Sequence, residues 1–270
     1  MIRLIATDLD GTLVKEGTSQ LDPEYFEVIR ALREKGVLFA ASSGRNYASI
    51  AKVFEPVKNE MAFLAENGGH AVVLGEEKFK ITLESEDVKA GIAYGRRQPD
   101  NFVMLSTIGG ALTDCRDAAK VREIGEGYSI AFRQVEDLME HTADEVLKIA
   151  MFCGTLDSRI SQALAAEALA DHEKMTPMVT GTHWVDYVPA GVDKGFGLMH
   201  LAEMMGIRRE ETMAFGDNLN DVPMIKAAGV GICVDNGRED VKKAADRIIP
   251  GYRENGVLNE MKAVLKEVSE

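Results

Sequence analysis

Apolar and polar positions along the first part of the chain alternate in the manner of an α/β sheet. Residues 2–7 and 37–42 are short apolar runs bounded by polar residues, as in buried strands. Between them, apolar residues at helical spacing follow Pro23 and stop at a glycine, which predicts a helix. A helix over 47–54 and a strand over 61–65 continue the series. This strand–helix–strand order predicts a parallel sheet.

The pattern changes between about residues 78 and 187. Strand-like segments appear there in a less regular alternation with helices, and one helix, over 158–171, is rich in alanine. The segments predicted as strands are FVMLST, YSIAFR and VLKIAMFC. From Asp193 the α/β alternation returns, and it ends on an amphipathic helix over 257–268. The chain is therefore expected to leave one domain, build an α+β insert and return.

Composition narrows the choice of partners. The 270 residues fit about two domains. Lys and Arg number 31 against 44 Asp and Glu, so the net charge is −13. Such a chain lacks the basic surface that nucleic acid requires, and an anionic membrane would repel it. No run of about 18 apolar residues is available to span a membrane. An anionic small substrate would need a local positive centre, either a few basic residues or a metal.

Cysteine usage and the chain start bear on location. Cys115, Cys153 and Cys233 are odd in number, widely spaced and without a C-x-x-C pair, which fits a reducing compartment and offers no zinc site. The apolar start is cut short by Asp8 and Asp10, whereas a signal peptide needs a longer apolar stretch. We therefore expect a cytoplasmic protein.

Two aspartates follow the first predicted strand. Asp8 and Asp10 stand two positions apart, ahead of Gly11 and Thr12. Carboxylates at the carboxyl end of a buried strand are costly unless they meet a cation, and in an open α/β sheet ligands bind at that edge. One alternative is a simple Asp-Gly turn, but a hairpin would need a second strand directly after it. Another is an acidic capping site at the end of the sheet without catalysis.

A second acidic group follows the predicted strand TMAF. Its sequence, GDNLND from Gly216 to Asp221, supplies carboxylate and amide oxygens, which suit a hard cation such as Mg²⁺. The structural alternative is a polar N-cap, by Asn218 or Asn220, for the helix that comes next. That alternative does not explain why two acids stand in the segment.

Two further motifs are weak when taken singly. Ser43-Gly44-Arg45 follows the second strand, where a hydroxyl and the N–H groups of a helix start can hold a phosphate, although Ser-Gly is more often only a turn. Lys194 begins a helix, where a lysine is normally solvated surface. All four motifs follow a strand or begin a helix, so they are expected to converge at one edge of a parallel sheet.

Together and in this order, the motifs resemble those of the haloacid dehalogenase-like hydrolases, and within them the Cof-type phosphatases with a C2B-like cap. The family's D-x-D-G-T, T-G-R, Lys and G-D-x-x-N-D correspond to residues 8–12, 43–45, 194 and 216–221. Glu66-Asn67-Gly68 resembles the family's E-N-G, and residues 254–257 resemble its d-G-V segment. Ser43 replaces the usual Thr, and Asn46 stands where Pro is frequent.

The resemblance implies a fold and a domain division. The fold would be α/β, a Rossmann-like parallel-sheet core with an inserted α+β cap domain. The core would comprise residues 1–84 and 186–270, and the cap residues 85–185. In the cap, the resemblance is one of size and position only.

The resemblance also implies a chemistry. Asp8 would be the nucleophile that forms an aspartyl-phosphate, Asp10 the acid and then the base, and Lys194 a compensating charge. Mg²⁺ would be held by Asp8, by Asp10 through its main-chain carbonyl, and by Asp217, with Asp221 among the metal-site residues just behind.

The residues expected to bind substrate or phosphate are Thr12, Ser43, Gly44, Arg45 and Asn220. Thr12 would also orient Asp10. For Arg45 two roles stay open, a contact to substrate and a structural ion pair.

The expected function is hydrolysis of small phosphorylated metabolites, such as sugar phosphates, by a magnesium-dependent phosphatase. The expected partner is the metabolite alone, with no nucleic acid and no membrane. One alternative is a phosphomutase or phosphotransferase on the same fold, which would show further Gly and Asn spacing around GDNLND. The other is a non-catalytic ligand-binding protein, which loss of Asp8 or Asp10 would have favoured.

Overall fold

The computed structural model describes residues 1–15, 18, 20–97, 100–128, 130–154, 157–180 and 183–269. The chain divides into two compact units, Met1–Phe79 with Asp193–Glu270, and Lys80–Val192. We call the first the core unit and the second the inserted unit. The predicted fold class, a parallel-sheet core interrupted by an α+β insert, is confirmed.

The helices and strands are numbered in chain order. The strands are β1 Leu4–Thr7, β2 Leu38–Ser42, β3 Ala62–Ala65, β4 His70–Val73, β5 Glu76–Lys80, β6 Phe102–Thr107, β7 Gly110–Thr113, β8 Phe132–Gln134, β9 Val146–Phe152, β10 Met175–Val179, β11 Trp184–Pro189, β12 Thr212–Gly216, β13 Val230–Val234 and β14 Arg247–Ile249. The helices are α1 Glu24–Glu34, α2 Tyr47–Val53, α3 Ser85–Arg96, α4 Ala118–Tyr128, α5 Ser158–Ala168, α6 Lys194–Met204, α7 Val222–Ala227, α8 Glu239–Ala244 and α9 Gly256–Glu267.

The sheet of the core unit has the strand order β14-β13-β12-β1-β2-β3-β4-β5. From β14 to β3 all neighbours are parallel, and β1 lies between β12 and β2. Chain segments that follow Thr7, Ser42 and Gly216 therefore leave the same edge of the sheet, where the sequence motifs stand. The sheet is not purely parallel as predicted, because β4 pairs antiparallel with β3.

Both faces of this sheet are covered, which explains its nearly continuous apolar strands. Ile5 faces one layer with residues of α1 and α9, such as Leu32 and Val257. Leu4 and Ala6 face the other layer with residues of α6 and α7. The period of two along β1 thus separates two apolar layers and holds the end of the strand rigidly at the sheet edge.

The inserted unit has a six-stranded sheet in the order β10-β11-β9-β6-β7-β8. On one face, Val88 of α3 and Ala165 of α5 pack with strand residues such as Ile149. On the other face, Ile124 of α4 packs with a cluster that includes Phe102 and Trp184. This mixed, mainly antiparallel sheet with helices on both faces is the predicted α+β insert.

The structure differs from the sequence analysis at the edges of the insert. The insert was expected at 85–185, whereas the compact unit comprises Lys80–Val192 because β11, up to Pro189, is hydrogen-bonded into its sheet. The strand predicted for YSIAFR is wrong in its first half, since Tyr128 ends α4 and β8 begins only at Phe132. Ser129 of that segment lies outside the described residues. In the part of the chain that the structure describes, no helix is long and apolar enough to cross a membrane.

Candidate active site

Lys194 is the centre of the polar cluster at the edge of the core sheet. It is the first residue of α6, and Asp193 caps the helix by accepting from the N–H of Phe196 at 2.7 Å. The Lys194 side chain is 0% exposed, and its Nζ donates to Asp8 Oδ1 at 2.5 Å and to Asp221 Oδ1 at 2.6 Å. The general expectation that such a lysine is solvated does not hold here.

The electrostatics of this lysine follow from its two partners. Burial by itself lowers the pKa of Lys194, but attraction to Asp221 and Asp8 outweighs burial and leaves the pKa above its ordinary value. The ammonium therefore stays charged and acts as a fixed positive centre. It is the local centre that an acidic protein needs in order to bind an anion.

Asp8 comes directly after the last residue of β1 and continues the hydrogen bonding between β1 and β12. Its N–H donates to the carbonyl of Phe215 at 2.9 Å, which extends the β1–β12 pairing to the aspartate, and only 5% of the residue is exposed. Gly11 turns the chain at a φ of 90°, and a Cβ at this position would collide with the carboxylate of Asp217. A glycine is thus required for the loop after β1 to approach the loop after β12.

Asp217 and Asp221 belong to the loop after β12. Asp221 Oδ2 accepts from the N–H groups of Asp217 and Asn218, both at 2.9 Å, while its Oδ1 accepts from Lys194. Asp221 therefore shapes its own loop and pairs with the lysine. Thr12 donates to Asp217 Oδ1 at 2.9 Å, so this hydroxyl orients Asp217, whereas the sequence suggested Asp10.

Three carboxylates of this edge converge closely enough to share a cation. Oxygen atoms of Asp8, Asp217 and Asp221 lie within 4.8 Å of one another. Burial, and then the charge of Asp221, raise the pKa of Asp8 well above its usual range, and the same two causes raise the pKa of Asp217 to about 7. Hard oxygen ligands with this excess of negative charge fit a divalent cation such as Mg²⁺.

The carboxylate of Asp10 is not one of that trio and is paired with Arg45. Arg45 Nε donates to Asp10 Oδ2 at 2.7 Å and Nη2 donates to Oδ1 at 2.5 Å, in the two-pronged geometry of a strong ion pair. Nη2 also donates to the carbonyl of Thr18 at 2.9 Å, and Arg45 is buried. Of the two roles left open for Arg45, the structure contains the ion pair.

Ser43 and Gly44 stand where β2 gives way to α2. Ser43 is buried, and its Oγ accepts from the N–H of Arg45 at 3.1 Å. That bond forms a tight hydroxyl turn, which places Gly44 at the tip between the strand and Asn46, the N-cap residue of α2. The segment therefore places the Ser43 hydroxyl and the main chain of Gly44 at the sheet edge, the kinds of group that a phosphate site uses.

Asn220 is buried, and its side chain contacts Asn67, a residue that the sequence analysis did not assign to the site. Its Nδ2 donates to Asn67 Oδ1 at 3.2 Å. Asn67 is fully buried in the left-handed region, with φ 56°, and a Cβ on the following Gly68 would collide with the carbonyl of Asp193. The available signal was the E-N-G segment after β3, which carried a resemblance but no assigned role.

This arrangement agrees with what comparisons with known proteins show. The family model of the haloacid dehalogenase-like hydrolases matches residues 5–261, which include every residue of the cluster. The chain belongs to the haloacid dehalogenase-like hydrolases. The predicted family is thereby confirmed.

Similar proteins extend over nearly the whole chain. The 5-amino-6-(5-phospho-D-ribitylamino)uracil phosphatase YbjI of Escherichia coli is 27% identical, over 98% of this chain and 97% of its own. A phosphoglycolate phosphatase of Methanospirillum hungatei is 26% identical over 91% of this chain and 89% of its own. A solved structure from Eubacterium rectale is 30% identical, with a TM-score of 0.83 over 97% and 99% of the two chains. As a member of this family, the protein is a hydrolase of the phosphatase class.

Proposed function

We propose that the protein hydrolyses phosphate monoesters of small metabolites through an aspartyl-phosphate on Asp8, with Mg²⁺ as the cofactor. The observation that carries the proposal is the position of Lys194 Nζ, in contact with both Asp8 and Asp221 at the edge where Asp217 also lies. A buried carboxylate beside a fixed cation and a cation-binding acidic group is what a nucleophile for phosphoryl transfer requires.

In the first step, a carboxylate oxygen of Asp8 attacks the phosphorus and the ester P–O bond breaks. Asp8 reacts only when ionised, but burial and its acidic neighbours favour the protonated form. Lys194 opposes this tendency by donating to Asp8 Oδ1. The lysine also lowers the negative potential that a phosphate dianion meets at this edge.

Asp10 acts as a general acid in the first step and as a general base in the second. It protonates the departing alkoxide, and in the second step it takes a proton from the water that attacks the phosphorus of the aspartyl-phosphate. The P–O bond to Asp8 then breaks, phosphate is released and the carboxylate is restored. Arg45 holds both oxygens of Asp10, so one of these bonds must give way for Asp10 to reach the leaving oxygen.

The transferring phosphoryl group is held by main-chain and amide donors. We assign this role to the hydroxyl of Ser43, the N–H of Gly44 and the amide of Asn220, with Thr12 acting through its bond to Asp217. These donors lie on loops that rigid strands position, so they need little rearrangement as charge develops on the phosphoryl oxygens.

Mg²⁺ would be held by Asp8, by Asp217 and by the main-chain carbonyl of Asp10. Asp221, whose oxygens already accept three hydrogen bonds, supports the site as the partner of Lys194 and of the loop. Four carboxylates meet one ammonium and one guanidinium here, which leaves two negative charges for a divalent ion to balance. When bound, the cation supplies neutralisation of charge on the transferring phosphoryl oxygens.

The substrate is proposed only as a class. The relatives named above act on phosphate esters of very different size, a ribitylaminouracil and a glycolate. We therefore propose a small phosphorylated metabolite and expect the inserted unit to discriminate among such esters. The first assay is phosphate release across sugar phosphates, nucleotides, phosphoglycolate and flavin mononucleotide.

The mechanism is tested by separating Asp8 from Asp10. With acetyl phosphate, whose leaving group needs no protonation, Asp10→Asn should accumulate phosphorylated protein in acid-quenched mass spectra. Asp8→Asn should show neither labelling nor turnover, because a neutral amide is a poor nucleophile. Asp240→Asn removes an exposed carboxylate at the start of α8 and should behave as the unmodified enzyme. Equal labelling of the Asp8 and Asp10 variants would contradict the assignment.

A further inference from the structure

A segment that the sequence analysis did not single out contacts both of the loops that carry the cation-binding carboxylates. It comprises residues 235–238, which join β13 to α8, and we call it the 235–238 segment. Strand β13 lies next to β12 and parallel to it, so the segment leaves the sheet at the same edge as the acidic loops. This position allows it to hold those loops relative to each other.

Asn236 contacts the loop after β1. Its Nδ2 donates to the main-chain carbonyl of Gly11 at 2.7 Å, across 225 positions of sequence. Gly11 stands between Asp10, whose carbonyl is a proposed metal ligand, and Thr12, whose hydroxyl donates to Asp217 at 2.9 Å. Because a peptide unit is planar, a bond that fixes the carbonyl of Gly11 also restrains the start of Thr12. Asn236 therefore restrains the part of the loop that orients Asp217.

The same segment contacts the loop after β12. The N–H of Arg238 donates to the main-chain carbonyl of Asp217 at 2.9 Å. A Cβ on Gly237 would lie 3.0 Å from the Cα of Asp217 and 2.6 Å from Cys233 Sγ, so a glycine is what allows this close approach. Asp217 is thus held from two directions, through its carboxylate by Thr12 and through its main chain by Arg238.

The 235–238 segment is itself anchored to the sheet. The N–H of Asp235 donates to the carbonyl of Ile249 at 2.8 Å, which extends the pairing of β13 with β14 by one residue. Gly251 lies against the Asn236 amide, since a Cβ at position 251 would collide with Asn236 Oδ1. Its φ of −73° suits alanine, and the atoms in the way belong to the side chains of Asn236 and Asp235. Alanine at position 251 would therefore displace the Asn236 amide and leave the fold intact.

We infer that the 235–238 segment is a positioning element for the cation site, with Asn236 as its principal positioning residue. The inference rests on the proposed function, because it concerns the Mg²⁺ that Asp8, Asp217 and the carbonyl of Asp10 would hold. Asn236 is exposed and its amide bonds to Gly11, so it acts on the ligands through the loop and not on the substrate. Ligands that are fixed beforehand lose less freedom when a cation binds, which raises affinity.

Asn236→Ala removes the amide donor and leaves every proposed ligand in place. We expect the Mg²⁺ affinity of metal-free protein, measured by calorimetry, to fall roughly tenfold, as when groups that orient metal ligands are removed elsewhere. The Mg²⁺ concentration for half-maximal phosphate release should rise in parallel, whereas kcat at saturating Mg²⁺ should stay close to the wild-type value. The melting temperature in chelator should hardly change, because one exposed hydrogen bond adds little to stability.

Gly251→Ala tests the same contact from its other side. It should weaken Mg²⁺ binding by displacing the Asn236 amide. The double variant should bind Mg²⁺ as Asn236→Ala does alone, because the contact can be lost only once. Asn259→Ala is the matched control: Asn259 is also exposed, and its Nδ2 donates to the main-chain carbonyl of Glu254 at 3.4 Å, outside the loops of the site. Its removal should leave Mg²⁺ affinity unchanged.

The possible results separate this inference from the proposed function. Wild-type protein that neither binds Mg²⁺ nor needs it for phosphate release would overturn both. Mg²⁺ binding by wild-type protein, with unchanged affinity in Asn236→Ala and Gly251→Ala, would overturn the inference alone. Losses that add in the double variant would also overturn it, because the two substitutions would then act through separate contacts. So would a lower melting temperature of Asn236→Ala in chelator combined with a lower kcat at saturating Mg²⁺, which would assign Asn236 a general structural role.

Discussion

Replacing Lys194 by methionine tests whether the buried lysine holds the active-site carboxylates together. The substitution keeps the volume of the side chain but removes both ion pairs, at 2.5 Å to Asp8 and 2.6 Å to Asp221. Breaking a buried pair by removing one partner costs about 3–5 kcal/mol, because the remaining charge is left uncompensated. We expect a loss of stability of that order at neutral pH, together with loss of turnover.

The stability lost in Lys194→Met should increase with pH. The pKa of Asp8 already lies above its usual value, owing to burial and to Asp221, and removal of the lysine raises it further. A carboxyl with a raised pKa in the folded state destabilises that state as pH rises above the ordinary carboxyl pKa. The stability difference between Lys194→Met and wild type should therefore be small near about pH 5 and larger near about pH 8.

The assay is equilibrium urea unfolding in the presence of a chelator, with the Asp221→Asn variant completing a double-mutant cycle. Lys194→Met leaves Asp8 and Asp221 without the ammonium, and Asp221→Asn leaves Lys194 paired with Asp8. The double variant removes both members of the Lys194–Asp221 pair, so it should lose less stability than the sum of the singles. For groups in direct contact we expect a coupling of about 1–3 kcal/mol. The buried Lys148–Asp186 pair of the inserted unit, joined at 2.8 Å, provides a matched cycle away from the acidic cluster.

Two results would refute this reasoning. Losses that add to within about 0.5 kcal/mol would show that Lys194 and Asp221 do not interact in solution. A cost that stays constant with pH would show that the carboxylates beside Lys194 are not the source of the effect.

Two further predictions concern the loop and the cation. Gly11→Ala should abolish phosphate release while the protein still folds, because its Cβ collides with the Asp217 carboxylate and its φ of 90° disfavours any side chain; activity near wild type would show that the two loops are not this close. Chelation should stop turnover, and Mg²⁺ should restore it. In chelator the melting temperature should fall as pH rises toward about 7, because the pKa of Asp217 is raised to about 7. Added Mg²⁺ should reduce the dependence of the melting temperature on pH. A melting temperature that does not change with pH in the absence of metal would contradict the clustering of Asp8, Asp217 and Asp221.

The sequence by itself determined the layout of the core and the residues that carry its chemistry. Apolar runs of strand length alternate with helical spacing, so the order of elements followed from local periodicity. Asp8, Ser43, Lys194 and Asp217 each stand at an end of such an element. Parallel strands place those ends at one edge, so convergence of the motifs could be expected from the sequence.

Only the tertiary structure decided how these groups are paired. The contact from Lys194 to Asp8 joins residues 186 positions apart, and the burial of both depends on β1 lying between β12 and β2, which no local pattern contains. Two other contacts likewise depend on how closely separate loops approach each other. They are the hydrogen bond from Thr12 to Asp217 and the two-pronged ion pair of Arg45 with Asp10. Side-chain pairing is a property of distance in space, and sequence spacing carries little information about it.

The same reason explains why two predictions of secondary structure elsewhere in the chain were wrong. β4 is antiparallel to β3 because the chain reverses direction through Asn67, whose backbone is in the left-handed region. The sequence Glu66-Asn67-Gly68 by itself did not predict this backbone conformation. Tyr128 fits a strand by composition, yet it ends α4 because its ring packs against Trp184 on the inserted sheet. Local propensity sets which elements can form, and packing against distant residues selects among them.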